Sequence, residues 1–328
     1  MTQLIRDIGE KGLLARLQRF CPAEIIGDDG AVIPTLPGHS LVVTTDVLVD
    51  QVHFSFRTTS PEDAGWRAVA ANLSDLAAMG ATPLGITVGL ALPGDVAVDW
   101  VERLYQGMNQ CLQSHNTAII GGDLCRSPIT TIAITAFGQV DPNYTIRRNA
   151  ASVADAIVVT GVHGASRAGL ELLLHPELGQ LLTDSDRLSL ITVHQRPQPR
   201  LDLLPLLRQI APPIAGMDSS DGLADAVLQL CKASSVGAII ERQDIPMPSA
   251  FANWLTPQQA LDYALYGGED FELVLCMLPI QARAIIQKLG KGAAIIGTIT
   301  ANQSIILSDF SNQYPDQLLT LDQSFQHF

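Results

Sequence analysis

Aspartates recur where an apolar run meets a glycine, serine or threonine. Asp46 ends the run VVTTD, Asp123 closes AIIGGD, and Asp218 and Asp221 lie in MDSSDG. Packing of each strand would hold the residue while its carboxylate points out of the strand end. Mg²⁺ is usually bound by a few carboxylates together with waters and phosphate oxygens. The pattern therefore predicts a magnesium site, whereas the plainer interpretation is that Asp and Gly make turns and Asp caps helices.

A further aspartate interrupts an apolar helix. Residues 61–81 are mostly Ala, Leu, Val and Met, and Asn72 and Asp75 lie three positions apart within them. Residues at this spacing share one face of a helix. This polar notch is a second candidate metal position, with a satisfied contact to a neighbouring loop as the alternative.

Hydroxyl groups and glycines accompany the carboxylates. Thr44 and Thr45 stand beside the first aspartate and could add oxygen ligands. Ser219 or Ser220 is predicted to cap the helix that follows, whose N-terminus could hold phosphate oxygens. In GGED, two glycines before Glu269 either make a turn or permit close approach of a ligand.

The common nucleotide-binding motifs are absent from this sequence. There is no G-x-x-x-x-G-K-[ST] run, no HRD and no DFG, and VVTGVHGASRAG lacks the G-x-G-x-x-G spacing. That segment is predicted to be a strand-to-helix turn that could contact a ligand. Among the histidines, His53 lies beside the acidic strand end, which makes it a candidate substrate contact, although a lone histidine is more often structural.

The elements that would position these residues alternate irregularly along the chain. Each half mixes strands and helices without strict βαβ order, which favours an α+β fold over a doubly wound sheet. The turn-rich segment 141–155 suggests an N-terminal domain of residues 1–145 and a C-terminal domain of residues 146–328. Patterns of β-branched and periodic residues predict a buried strand at 41–49, a helix at 61–81, and strands at 84–92, 117–123, 130–140, 156–161 and 269–278.

Composition restricts the classes of function. The 328 residues carry a net charge of −13, which argues against a nucleic-acid surface or a polybasic membrane patch. The five cysteines are scattered, odd in number and without a C-x-x-C pair. This pattern suits a reducing compartment and offers neither a disulfide framework nor a zinc site. The N-terminus lacks the apolar core of a signal peptide, and no apolar run approaches membrane-spanning length. We therefore expect a soluble cytoplasmic protein with small-molecule partners.

Six motifs follow one another along about nine-tenths of the chain: GDDGAV (27–32), VTTDVLVDQVHF (43–54), NLSDLAAMGATP (72–83), GGD (121–123), SSDGL (219–223) and GGEDFEL (267–273). Together, and in this order, they resemble the thiamine-monophosphate kinase family, within the superfamily that also holds aminoimidazole ribonucleotide synthetase. The TD-x-L-V-x-x-x-HF run and GGED are the kinase-specific parts of the resemblance.

The resemblance implies a Mg²⁺-dependent kinase that uses ATP as co-substrate and forms a homodimer through its N-terminal sheet. Among the carboxylates, Asp46, Asp123 and Asp221 would be catalytic. The implied ATP contacts are Gly122, Asp123, Arg148 and Ser220, and the implied substrate contacts are His53 and Glu269. The implied metal ligands are Asp29, Thr44, Thr45, Asp46, Asp75, Asp123, Asp218 and Asp221.

Two departures from the family pattern stand out. Where the family commonly has a tryptophan that stacks on the substrate, the segment LTLDQSFQHF offers Gln323 or Phe325, and Phe325 is the candidate. Ser219 replaces a residue that is usually aliphatic. The predicted reaction is in-line transfer of the ATP γ-phosphate onto thiamine monophosphate.

Two alternatives stay open. One is another ATP-using relative such as a selenophosphate synthetase, although Cys21 in CPAEII lacks the neighbours expected of that enzyme's reactive cysteine. The other is a non-catalytic nucleotide or metal sensor on the same fold. Retention of every metal-site aspartate argues against a sensor.

Overall fold

The computed structural model describes residues 2–23, 25, 31 and 33–320 of the chain. The chain divides into two compact units. One contains Met1–Leu76 with Ala81–Pro142, and the other contains Ala77–Gly80 with Asn143–Phe328.

The first unit contains a four-stranded sheet in the order β1-β4-β2-β3, with β1 and β3 at its edges. Strand β4 pairs antiparallel with both β1 and β2, and β2 pairs parallel with β3. The elements are α1 (Ile5–Leu17), β1 (Ser40–Val49), α2 (Pro61–Ala78), β2 (Thr82–Leu92), α3 (Val98–Ser114), β3 (Ile119–Arg126) and β4 (Thr131–Val140).

Alternation along β4 shows how this sheet is covered. Ile132, Ile134 and Ala136 are buried, while the residues between them are half-buried. Because successive side chains of a strand point to opposite faces, one face of the sheet forms the core and the other is more open.

The second unit contains a seven-stranded sheet in the order β11-β10-β7-β9-β5-β8-β6. Its pairs are antiparallel except for β7 with β10. The elements are β5 (Ala156–Val159), α4 (Ala165–Leu174), α5 (Asp184–Gln195), α6 (Leu204–Leu207), β6 (Ala215–Asp218), α7 (Leu223–Ser234), β7 (Gly237–Glu241), α8 (Pro257–Tyr266), β8 (Leu273–Met277), α9 (Pro279–Leu289), β9 (Ala294–Thr300), β10 (Ile305–Ser308) and β11 (Gln317–Leu318).

The α+β prediction is confirmed, since both units combine helices with mixed sheets. Two local predictions are wrong. Strand 41–49 is not buried throughout, because β1 is an edge strand and Leu41 and Val43 are about half exposed. The strand predicted at 269–278 begins only at Leu273, because Glu269 and Phe271 have positive φ angles that a strand does not accommodate. No helix in the described part of the chain is long and apolar enough to cross a membrane.

Candidate active site

Strand β1 and helix α2 bring two of the predicted aspartates, Asp46 and Asp75, to one polar contact between the two elements. Thr44 Oγ1 donates a hydrogen bond to Asp75 Oδ2 over 2.5 Å, and Asn72 Oδ1 accepts the backbone N–H of Asp46 at 3.2 Å. The Asn72 side chain is fully buried and also donates to the Ala68 carbonyl at 2.9 Å. The polar notch of α2 therefore contacts β1, and it places Asp75 beside the strand that carries Asp46.

Two further predicted ligands of this unit, Thr45 and Asp123, lie on the opposite face of the sheet. Thr45 Oγ1 is 2.9 Å from Thr135 Oγ1. Strand register aligns Val47 with Ala133, Gly89 and Asp123 in one row, so the exposed Asp123 shares the face of Val47 and Thr45. Asp46 and Gly122 belong to the next row. One face of this sheet therefore does not collect both Asp46 and Asp123.

His53 has one ring nitrogen committed to the backbone. Its ring Nδ1 accepts the backbone N–H of Val49 at 3.0 Å, and the backbone N–H of His53 donates to the Val49 carbonyl at 3.0 Å. An acceptor Nδ1 carries no proton, so Nε2 carries it in the neutral ring. This ring is consequently oriented to donate from Nε2.

In the second unit, strand β6 ends at the buried Asp218, whose Oδ1 accepts a hydrogen bond from Ser220 Oγ at 3.0 Å. Asp221 follows and is exposed. The predicted serine cap is wrong, because α7 begins at Leu223 and its N-cap is Gly222. The hydroxyl of Ser220 is engaged by Asp218 instead of a helix N–H.

Ser219 is held by a buried histidine. His163 Nδ1 lies 3.2 Å from the Gly161 carbonyl and Nε2 lies 3.1 Å from Ser219 Oγ. Since a carbonyl can only accept, Nδ1 carries the proton. Nε2 then shares the single hydroxyl hydrogen of Ser219 with the Glu272 carbonyl, which lies 3.2 Å from Ser219 Oγ. Full burial lowers the pKa of His163 to about 4, so this ring is neutral near pH 7. Ser219, which stands where the family usually has an aliphatic residue, therefore has a buried hydrogen-bond partner in His163.

The structure adds a carboxylate that the sequence analysis missed. Asp225 lies in the first turn of α7 and is buried. Burial raises its pKa, the charge of Asp221 raises it further, and the positive charge of Arg148 opposes both. Asp221 and Arg148 are therefore each close enough to Asp225 to act on its charge.

The GGED segment uses its two acidic residues differently. Asp270 is buried and accepts the N–H groups of Gly164 at 2.6 Å and Ser166 at 2.9 Å. It thereby occupies the N-terminus of α4, where the sequence suggested that a ligand could bind. Burial raises the pKa of Asp270 to about 7. Glu269 stays partly exposed, and its N–H donates to the Ser220 carbonyl at 2.7 Å.

The donor chemistry fits a hard cation. Each unit presents two of the predicted carboxylates, Asp46 with Asp75 and Asp218 with Asp221, all oxygen donors. Across residues 2–23, 25, 31 and 33–320, no three His, Cys, Asp or Glu side chains gather into a metal-holding group. Mg²⁺ is commonly held by one or two carboxylates with substrate phosphates and water, so this arrangement suits it. Two predicted site residues, Asp29 and Phe325, lie outside the described residues.

The chain is similar to known proteins over nearly its whole length. The models for the AIR synthase related protein N-terminal and C-terminal domains match residues 27–140 and 153–309. The thiamine-monophosphate kinase of Synechococcus elongatus is 51% identical over 332 residues, which cover 99% of this chain and 98% of that protein.

Solved structures agree with this placement. The thiamine-monophosphate kinase from Stenotrophomonas maltophilia K279a has a TM-score of 0.78 at 34% identity and covers 90% of this chain and 94% of its own. AaThiL complexed with AMPPCP and TMP has a TM-score of 0.74 at 29% identity, covering 96% of this chain and 97% of its own.

Proposed function

Because the chain belongs to the thiamine-monophosphate kinase family of AIR synthase related proteins, we propose that it transfers the γ-phosphate of ATP to thiamine monophosphate, giving thiamine diphosphate and ADP. The observation that carries the proposal is the 51% identity that extends over 99% of the chain. The complex of AaThiL with AMPPCP and TMP supports both substrates. The enzyme is a phosphotransferase whose acceptor is itself a phosphate group.

The reaction is a direct in-line displacement. An oxygen of the acceptor phosphate forms a bond to the γ-phosphorus of ATP while the bond from that phosphorus to the β,γ-bridging oxygen breaks, and ADP leaves with the electron pair. A phosphate monoester is largely ionised at neutral pH, so the attacking oxygen needs no general base. Alignment of the two phosphates and stabilisation of their charge supply most of the acceleration.

The residues proposed for this task form one set in each unit. Asp46 and Asp75 stand at the β1–α2 contact, with Thr44 directing the Asp75 carboxylate. Asp218 and Asp221 follow β6, where Ser220 donates to Asp218. Magnesium bound by these oxygens would screen the charge of the phosphates during transfer.

Three further residues are proposed to contact the substrates: Arg148 the nucleotide, and His53 and Glu269 the acceptor. Arg148 lies close enough to Asp225 to act on its carboxylate, which supports its role beside ATP phosphates. His53, with Nε2 as a donor, suits a phosphate or hydroxyl oxygen of the acceptor. Glu269 keeps a partly exposed carboxylate that suits the permanently positive thiazolium ring.

The proposed assembly is a homodimer formed through the sheet of the first unit. Leu41, Val43 and Val47 alternate along the edge strand β1 and are 54%, 52% and 47% exposed. Exposed apolar stripes of this kind indicate a protein contact. With Thr45 and Asp123 they define the open face of the sheet. A second copy covering this face would bring Asp123 to the interface. The cytoplasmic location inferred from the sequence stays a prediction.

Purified protein, ATP, thiamine monophosphate and Mg²⁺ test the proposal directly. Thiamine diphosphate should form with one ADP per product, and a chelator should stop it. ATP hydrolysis without thiamine diphosphate would favour another ATP-using member of the superfamily. Nucleotide binding without turnover of any acceptor would favour a sensor.

A further inference from the structure

The chain bends sharply between α8 and β8. Gly268, Glu269 and Phe271 have φ angles of +67°, +56° and +52°. Residues other than glycine seldom adopt this conformation, and it persists where surrounding contacts enforce it, often at functional sites. A Cβ on Gly268 would lie 2.8 Å from the Ser220 carbonyl oxygen. The bend therefore fixes the backbone of Glu269 directly against the loop that carries Asp221.

A buried histidine faces the side chain of Glu269. His194, in the last turn of α5, has a side chain only 2% exposed, and its Nδ1 lies 3.7 Å from Glu269 Oε2. The same Nδ1 lies 3.0 Å from Ser166 Oγ in α4. Nδ1 is therefore within hydrogen-bond distance of the Ser166 hydroxyl, and the Glu269 carboxylate lies just beyond that distance, within ion-pair range of the ring.

The packing of α4 against α5 is built for this contact. A Cβ on Gly169 would lie 2.2 Å from the Leu190 carbonyl and 2.9 Å from the Cβ of His194. Any larger residue at 169 would push α5 away and move the His194 ring. Glycine here permits the close approach that places an α5 side chain beside Glu269.

Asp270, the residue after Glu269, is bound to the first turn of α4. Asp270 accepts the N–H groups of Gly164 and Ser166 and so fixes the first turn of α4. The polar contacts run in order from Asp270 to Ser166, from Ser166 to His194, and from His194 to Glu269. Two consecutive residues of the chain are thus attached to the same helix pair.

We propose that His194 is a positioning residue for Glu269. It orients a carboxylate that contacts the positively charged ring of the acceptor, a role of Glu269 that rests on the proposed function. A glutamate side chain that is 37% exposed would otherwise sample several rotamers in water. Holding it in one of them removes an ordering cost from acceptor binding. His194 touches neither the acceptor nor ATP in this proposal.

The test compares two amide replacements of His194. In His194→Asn the amide nitrogen takes the place of Nδ1, whereas in His194→Gln it takes the place of Nε2. We expect H194Q to raise the KM for thiamine monophosphate about tenfold, with kcat and the KM for ATP nearly unchanged, and H194N to stay within about twofold of the wild type. His175→Gln, at an exposed histidine after α4, is the matched control.

The same pair is then made in a Glu269→Gln background. There, H194Q should raise the KM for thiamine monophosphate no further, because the carboxylate that it positions is gone. Equal fold-changes of H194Q in the two backgrounds, or equal changes in both KM values and kcat, would overturn the proposal.

A readout without substrates separates this inference from the proposed function. The imidazole ¹⁵N signals of His194 should shift in E269Q and stay unchanged in Glu177→Gln. Unshifted signals in E269Q would contradict the contact itself. Absence of thiamine diphosphate with wild-type protein would overturn the proposed function, while the ¹⁵N comparison would still decide whether His194 contacts Glu269.

Discussion

Thr44 Oγ1 donates to Asp75 Oδ2, which ties the middle of β1 to the last turns of α2. Both residues were candidate metal ligands from the sequence, and the structure relates them as donor and acceptor. A carboxylate that accepts one hydrogen bond still has lone pairs for a cation. Thr44 therefore directs Asp75, in the way that outer partners orient metal ligands.

Replacing Thr44 by valine keeps the β-branched shape and removes that donor. Thr44→Val should need about tenfold more Mg²⁺ for half-maximal turnover, the usual scale for loss of a partner that orients a ligand. The measurement is a Mg²⁺ titration of thiamine diphosphate formation. Thr192→Val, which removes an exposed α5 hydroxyl bonded to the Leu188 carbonyl, is the control. A T44V titration that superimposes on the wild type would contradict this role.

Asp221 is exposed, so its carboxylate can be changed without disturbing a core. Asp221→Asn should lower kcat by about 100-fold or more, because the group stabilises charge during transfer. Its free energy of unfolding should stay within about 0.5 kcal/mol of the wild type. Asp95→Asn, at another exposed aspartate, should leave both unchanged. Near-normal kcat for D221N at saturating Mg²⁺ would remove Asp221 from the proposed set.

The open face of the first sheet gives a prediction about assembly. Val43→Lys places a charge in the middle of the exposed apolar stripe, and burying an unpaired charge in an interface is strongly unfavourable. We expect the wild type to be a dimer and V43K a folded monomer by light scattering after size exclusion. Val153→Lys, at a similarly exposed valine of the second unit, should remain dimeric. A dimeric V43K variant, or a monomeric wild type, would show that this face of the sheet is not a dimer interface.

Local signals predicted much of the fold. The strand of 41–49 and the helix of 61–81 nearly match β1 and α2, because β-branched runs and helical periodicity depend on neighbouring residues. The same alternation could have separated Thr44 from Thr45, since consecutive strand residues point to opposite faces.

Long-range contacts account for what the sequence did not reveal. Asp270 caps the helix that begins near Gly164, 106 residues earlier in the chain, and no spacing rule connects them. The bend that this anchor accompanies also explains why residues 269–272 are not a strand. His194 lies in the last turn of an amphipathic helix and gives no local signal of its contact with Glu269.

Asp270 should also make stability depend on pH. Its pKa is about 7 in the folded protein and 3.8 ordinarily, so between those values the folded state holds a proton that the unfolded state has released. The stabilising contribution of Asp270 is therefore fully present below about pH 4 and is lost as pH rises through about 7. Burial is the main cause, and the backbone donors oppose it.

Asp270→Asn removes this titration and also replaces one acceptor oxygen with an NH₂ group facing a helix N–H. The variant should be less stable than the wild type by about 1–3 kcal/mol from the lost acceptor. The wild type should lose this advantage as pH rises from 4 to 7 and become the less stable protein, with a constant difference above about pH 8, as measured by urea unfolding at each pH. Asp262→Asn, at a partly exposed α8 aspartate bonded to Gln258, is the control for pH effects unrelated to burial. A difference between wild type and D270N that is the same at pH 4 and pH 8 would show that Asp270 is ionised throughout.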